Sequence, residues 1–244
     1  MQIIFKSVIL RSEFYFLKMS NNQTRAAESA YKPQKGSFFV ENQKSLTFII
    51  GGILVLVVLY FGYQKLYLAP RAEKAANQIF KAEEYAASTD DSLQKRAISG
   101  DGAYPGFKEI AEEYSNTKSA NIANAYLGGL YLREGKFAEA IEALEKYSDT
   151  GSEILDPLVV GMLGDAYSEQ KDYNKAATFY KKAADKADNS YTAPLFLKKL
   201  GLVYEQLKEN KKAEEAYTKI KSSYPESQEA AMIEGLIARV KAEQ

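Results

Sequence analysis

The pattern Leu-Gly-x-x-Tyr occurs three times in the second half of the chain, at Leu127-Gly128 to Tyr131, Leu163-Gly164 to Tyr167 and Leu200-Gly201 to Tyr204. Twelve residues after each glycine stands an alanine (Ala140, Ala176, Ala213), and four residues later a bulky side chain (Leu144, Tyr180, Tyr217). The spacing between units is 36 and then 37 residues. A fixed period of that size marks a helical solenoid, in which each unit leaves an apolar stripe that only the next unit can bury. Solenoids recognise ligands along an extended concave face, so this sequence points toward binding and away from chemistry.

The residue types predict how each unit is built. Gly128, Gly164 and Gly201 fall where one helix must approach another closely, since a side chain there would hold the backbones apart. Ala140, Ala176 and Ala213 read as their small partners, and Tyr131, Tyr167 and Tyr204, three residues after the glycines, as fillers between helices. Turns are expected at Gly135-Lys136-Phe137, Lys171-Asp172-Tyr173 and Glu209-Asn210-Lys211. The fold class is therefore all-α, a solenoid of antiparallel helical hairpins.

These motifs resemble the tetratricopeptide repeat (TPR) family, whose order of Leu-Gly-x-x-Tyr, alanine, aromatic and proline is matched most fully from Leu200 to Pro225. The family period is about 34 residues. Since the glycine-to-alanine spacing is constant, the extra residues fall between hairpins, in 148–157 and 187–194. Asp156-Pro157 reads there as an N-cap followed by proline at the first helical position. The repeats are drawn as 121–156, 157–193 and 194–227. A degenerate repeat over 70–120 has a first helix at Arg71–Ala87, an inserted loop at 88–102, and Ala103, Phe107 and Ile110 on its second helix. A capping helix over 228–241 carries Ala231, Leu236 and Val240.

From Ser45 to Gln64 there is no charged residue, and Lys44 and Lys65 bracket the stretch. About 20 apolar residues cross a bilayer as a helix, and Tyr60, Tyr63 and Tyr67 are suited to its interfaces. A buried core helix would need apolar neighbours on every side, and a cleaved signal peptide a shorter apolar run with a small-x-small site. Residues 45–64 are thus expected to be a retained single-pass transmembrane helix, and 70–244 the solenoid. Residues 1–44 form a tail, expected to be disordered and cytoplasmic, in which 1–18 are either an interfacial helix or an artefact of start-site choice, Met19 being the alternative start. A slight excess of basic residues ahead of the span favours that tail inside and the repeats outside.

Composition excludes several function classes. With no cysteine and no histidine, there is no disulfide or thiolate chemistry and no commonest general base or zinc ligand. Lys plus Arg balance Asp plus Glu at 32 each, so no basic footprint argues for nucleic acid. No phosphate-binding glycine loop is present. No catalytic residue, cofactor, metal or small-molecule substrate is expected.

The TPR resemblance implies a concave groove lined by first-helix residues at fixed offsets from the glycine. On this chain these are Ile122, Ala125, Leu132 and Arg133; Leu158, Asp165, Ser168 and Glu169; and Leu195, Lys198, Leu202, Glu205 and Gln206. The family's carboxylate clamp is missing, since Ala125 and Gly129 stand where its first lysine and asparagine would be. A polypeptide segment held through apolar anchors suits what remains. The arrangement of anchor plus repeats resembles the bacterial ancillary translocon subunit family, whose members associate with the SecYEG channel and periplasmic chaperones. It is also similar to single-pass TPR proteins of the Bacteroidota. That resemblance implies a periplasmic scaffold on the bacterial inner membrane, partnered by translocon or envelope-assembly components and exported clients. A structural subunit bracing a larger membrane complex is the other reading.

Overall fold

The computed structural model describes residues 42–186 and 188–243; the readings made for the tail up to residue 41 lie outside them. The chain divides into two compact units, Met1–Phe61 and Gly62–Gln244.

The first unit contributes α1 (Gln43–Gly62), which begins two residues ahead of the expected span. None of its residues is buried, and Phe48, Leu56 and Val58 are 82, 67 and 70% exposed. Such a surface is costly in water at roughly 25 cal/mol per Å² of apolar area. Among the described residues, one helical run, Gln43–Ala86, contains a segment long and apolar enough to cross a membrane.

The second unit is helical throughout. After a π-helical stretch at Tyr63–Leu68 come α2 (Ala69–Ala86), α3 (Asp91–Ser99) and α4 (Phe107–Glu113). Three hairpins follow: α5 (Lys118–Arg133) with α6 (Phe137–Glu145), α7 (Leu155–Glu169) with α8 (Tyr173–Lys186), and α9 (Thr192–Gln206) with α10 (Asn210–Ser223). A 3-10 turn (Glu229–Met232) and α11 (Ile233–Ala242) close the unit. Each helix packs mainly against its neighbours in sequence, while α5, α7 and α9 also touch in succession. This is the quasi-one-dimensional construction of a solenoid.

Four local readings need correction. The stretch 88–102, expected as a loop, contains α3, because Asp90 caps it by accepting from Ser92 N at 2.8 Å and Ala97 supplies a fully buried contact. Ala103 is exposed in the loop ahead of α4, not on a helix. That loop closes tightly: a Cβ on Gly106 would lie 2.3 Å from Gly100 N, so only glycine fits. The third hairpin turn lies one residue earlier than expected, at Lys208-Glu209-Asn210, in register with Gly135 and Lys171. All three leading residues take left-handed backbone, at φ 72°, 63° and 61°. In the cap, Ala231 sits exposed in the 3-10 turn, and Ile233 joins Val240 as the buried pair.

The repeat glycines work differently from the glycine–alanine pairing expected. A Cβ on Gly128 would meet Leu144 Cδ2 at 2.2 Å, one on Gly164 the Tyr180 ring at 2.6 Å, and one on Gly201 the Tyr217 ring at 2.2 Å. The glycine therefore receives the bulky residue four positions after the alanine, a ridge seated in a groove. The alanines are fully buried on their own account. Tyr131, Tyr167 and Tyr204 are only half-buried; Tyr167 stacks on Phe179 at 5.3 Å.

Candidate functional site

The successive first helices α5, α7 and α9 present the expected groove positions, but not all of them are available to a ligand. Ala125 is 6% exposed and packs with Leu144, Val159 and Leu163 between hairpins. Ile122 leans on the core formed by α2 to α6, and Leu158 and Leu195 on the core of the last two hairpins. The apolar anchors foreseen for a bound chain are thus largely consumed by the stacking of the solenoid. Leu202, 39% exposed, is the apolar position that remains open. Leu132, Ser168 and Lys198 are half-buried, while Arg133, Glu169 and Gln206 are exposed.

Two nominated acids turn out to be anchored. Asp165 accepts from Tyr180 Oη at 2.6 Å and from Lys199 Nζ at 2.6 and 2.8 Å. Burial, and then the Asp165 charge, push the Tyr180 hydroxyl above its ordinary range, so it stays a donor. Lys199 also lies 5.7 Å from the Tyr180 ring and 5.9 Å from that of Phe196, which links α7 to α9 through charge and aromatic face together. Glu205 accepts from the Tyr217 hydroxyl, and from Arg239 Nε at 3.1 Å and Nη2 at 2.9 Å. Burial and Glu205 raise the Tyr217 hydroxyl in the same way.

Tyr180, Tyr217, Lys199 and Arg239 were missing from the sequence reading of the site. The available signal was tyrosine at the Leu144 position in the second and third units, a residue whose hydroxyl needs a partner once its ring is buried. Gly161 was also missed. A Cβ there would come within 1.9 Å of the Phe196 ring, so this glycine sets how closely α7 and α9 approach.

The linkers between hairpins are held by polar side chains that bond the linker backbone. Asp156, 4% exposed, does not cap α7, whose first residue is Leu155. It accepts instead from Tyr147 Oη at 2.6 Å, Thr150 N and Oγ1 at 3.0 and 2.9 Å, and Gly151 N at 2.8 Å. Burial opposes its charge, but these bonds outweigh it and hold the carboxyl at about 2. Pro157 consequently falls at the third helical position, not the first. In the next linker Asn189 plays the equivalent part, accepting from Tyr191 N at 2.9 Å and Thr192 N at 2.8 Å while donating to Glu153 O at 3.0 Å.

Hairpins stacked on a repeating glycine, with first helices in contact, match two family models. A tetratricopeptide repeat-like domain covers residues 99–204, and a tetratricopeptide repeat covers 199–227. Between them they span more than half of the chain. It is a tetratricopeptide repeat protein. TPR hairpins serve as protein-interaction modules and typically carry no catalytic groups of their own, so the TPR unit of this chain is a protein-binding scaffold. A search of curated proteins found no significant match.

Proposed function

We propose that the chain is a membrane-anchored TPR scaffold, with residues 45–64 spanning the bilayer and the solenoid from residue 70 onward holding polypeptide segments of partner proteins. The observation that carries this reading is the combination of TPR hairpins with an apolar helix that buries nothing. An unburied helix of that length needs a hydrocarbon environment, and tethering concentrates a modest binding surface around its clients. The groove face is formed by Leu132, Arg133, Ser168, Glu169, Lys198, Leu202 and Gln206, with Asp165 and Glu205 contributing charge that is already bonded within the protein. A ligand on this face is gripped by a few polar contacts around Leu202 more than by a row of apolar pockets.

The repeats are placed outside the cytoplasm at a bacterial inner membrane, beside the protein-translocation or envelope-assembly machinery, from the charge pattern flanking the span and the likeness to ancillary translocon subunits. Photo-crosslinking in cells from Lys198 and Leu202, with mass spectrometry of the adducts, tests the function. Channel subunits together with many exported chains are expected. A single recurrent partner would instead make the chain a structural subunit of a membrane complex. A cysteine at Lys136 should be blocked by membrane-impermeant reagents, and labelling only by permeant ones would reverse the topology.

A further inference from the structure

α4 and the second helices of the three hairpins carry charge in an order that packing does not require. α4 and α6 hold six glutamates against one lysine, whereas α8 and α10 hold eight lysines against three acids, a net −5 followed by a net +5. The register shows where the sign turns over. The residue ahead of each buried alanine is Glu139 in the first hairpin, Lys175 in the second and Lys212 in the third. Five positions after the alanine stand Glu145, Lys181 and Thr218. All six are exposed, so neither the glycine seat nor the alanine dictates their charge.

Each half is a continuous surface. On the acidic half Lys146, and then the charge of Lys108 on α4, hold the Glu142 carboxyl below its ordinary range, which sets α4 beside α6. On the basic half Lys219 of α10 reaches Asp185 of α8 at 3.7 Å. A furrow of about 450 Å³ between those helices is lined by Lys181, Lys182 and Lys212 as well as Asp185 and Glu209. The charges are only partly matched within the chain. Glu142 pairs with Lys146 at 2.8 Å and Lys181 with Asp185 at 2.7 Å, exposed contacts along single helices that are worth little. Glu139, Glu145, Lys182 and Lys211 make no salt bridge to any described residue. A face that is acidic over one half and basic over the other is complementary to itself after a half-turn, and a two-fold axis then makes the same contact twice.

We propose that this face docks a second copy of the chain, turned so that the acidic α4–α6 half of each copy covers the basic α8–α10 half of the other. The first helices stay free for a ligand. Anchoring in a shared bilayer would concentrate such copies, but the contact itself needs no membrane. Analytical ultracentrifugation of the full-length protein in a non-ionic detergent tests it. A dimer is expected at about 50 mM salt, with a dissociation constant at least tenfold higher at about 500 mM, where screening is stronger. Glu139→Lys, Glu142→Lys and Glu145→Lys together reverse the sign of α6, and Lys175→Glu, Lys181→Glu and Lys182→Glu together reverse that of α8. Each triple variant should be monomeric at low salt with unchanged helix content by circular dichroism. An equal mixture of the two should dimerise again, since each then offers what the other has lost. A wild type that is monomeric at low salt would overturn the proposal, as would a mixture that fails to pair. A dimer that survives both reversals would belong to the apolar helix α1, and species larger than a dimer to an open head-to-tail contact; either would overturn it too.

Discussion

The hairpin α5–α6 and its successors α7–α8 and α9–α10 are built on the same glycine, yet they fill the space over it differently. In the first hairpin Leu144 caps Gly128, an apolar plug that asks nothing more of its surroundings. In the other two a tyrosine ring covers the glycine, and its hydroxyl must be satisfied by a carboxylate from the first helix: Asp165 in one, Glu205 in the other. The acids come from different offsets, one and four residues after the glycine, and each recruits a further cation, Lys199 from the next first helix or Arg239 from the capping helix. A small change at one position thus converts an apolar contact into a network linking hairpins. It also removes two carboxylates from the pool a ligand could use.

Swapping the two solutions is the most damaging test. Leu144→Tyr would bring a hydroxyl over Gly128 where Gly129 and Leu132 occupy the acid positions. Overpacking and an unpaired buried hydroxyl should together cost about 3 kcal/mol in chemical denaturation. Adding Gly129→Asp should recover about 1 kcal/mol, since a Cβ at Gly129 meets Met162 Sδ at an ordinary 3.5 Å. No recovery would mean that the tyrosine network is not portable between repeats.

Asp156 offers the next largest effect, in the linker between the two kinds of hairpin. Asp156→Asn should cost about 2 kcal/mol near neutral pH. Its folded carboxyl, at about 2, lies below the unfolded carboxylate range near 3.9. The stabilisation is therefore complete above that unfolded value and disappears as pH falls toward 2. The stability gap between wild type and Asp156→Asn should narrow over that interval, and a gap independent of pH would remove the carboxylate charge from the account.

Tyr180→Phe should cost only about 1 kcal/mol, because Asp165 keeps Lys199 when the hydroxyl is lost. A larger loss would show that the ring position itself depends on the bond. The smallest effect has the opposite sign. Lys171 and Lys208 hold left-handed backbone where the first hairpin has Gly135, so Lys171→Gly should stabilise by about 0.5–1 kcal/mol, visible as a small rise in melting temperature.

The repeat was legible because the constraints that shape it are encoded locally: the period, the glycine and the alanine each report a steric demand that does not depend on distant residues. The groove was less legible. Ala125, Leu158 and Leu195 were placed at ligand-facing positions by register, but burial between hairpins depends on the neighbouring repeat, which no single unit records. Asp165 and Glu205 were read as groove-lining positions, and their internal bonds were missed because their partners lie 15 and 12 residues away on the facing helix, and 34 residues away in each cation. Asp156-Pro157 carried the outward marks of a helix start, and the linker's demand for an acceptor shifted both residues inward along the helix. The helix α3 was hidden by polar composition, since its burial rests on little more than Ala97 and Gln94.

The bond from Arg239 to Glu205 gives the last helix a reach beyond its own packing. Glu205 lies on α9, and its charge is neutralised from the end of the solenoid. Whatever displaces α11, whether proteolysis or a partner competing for its apolar face, would uncover a negative charge on a surface it never touches. The capping helix can therefore change the charge that α9 presents, by lending or withdrawing one counter-ion.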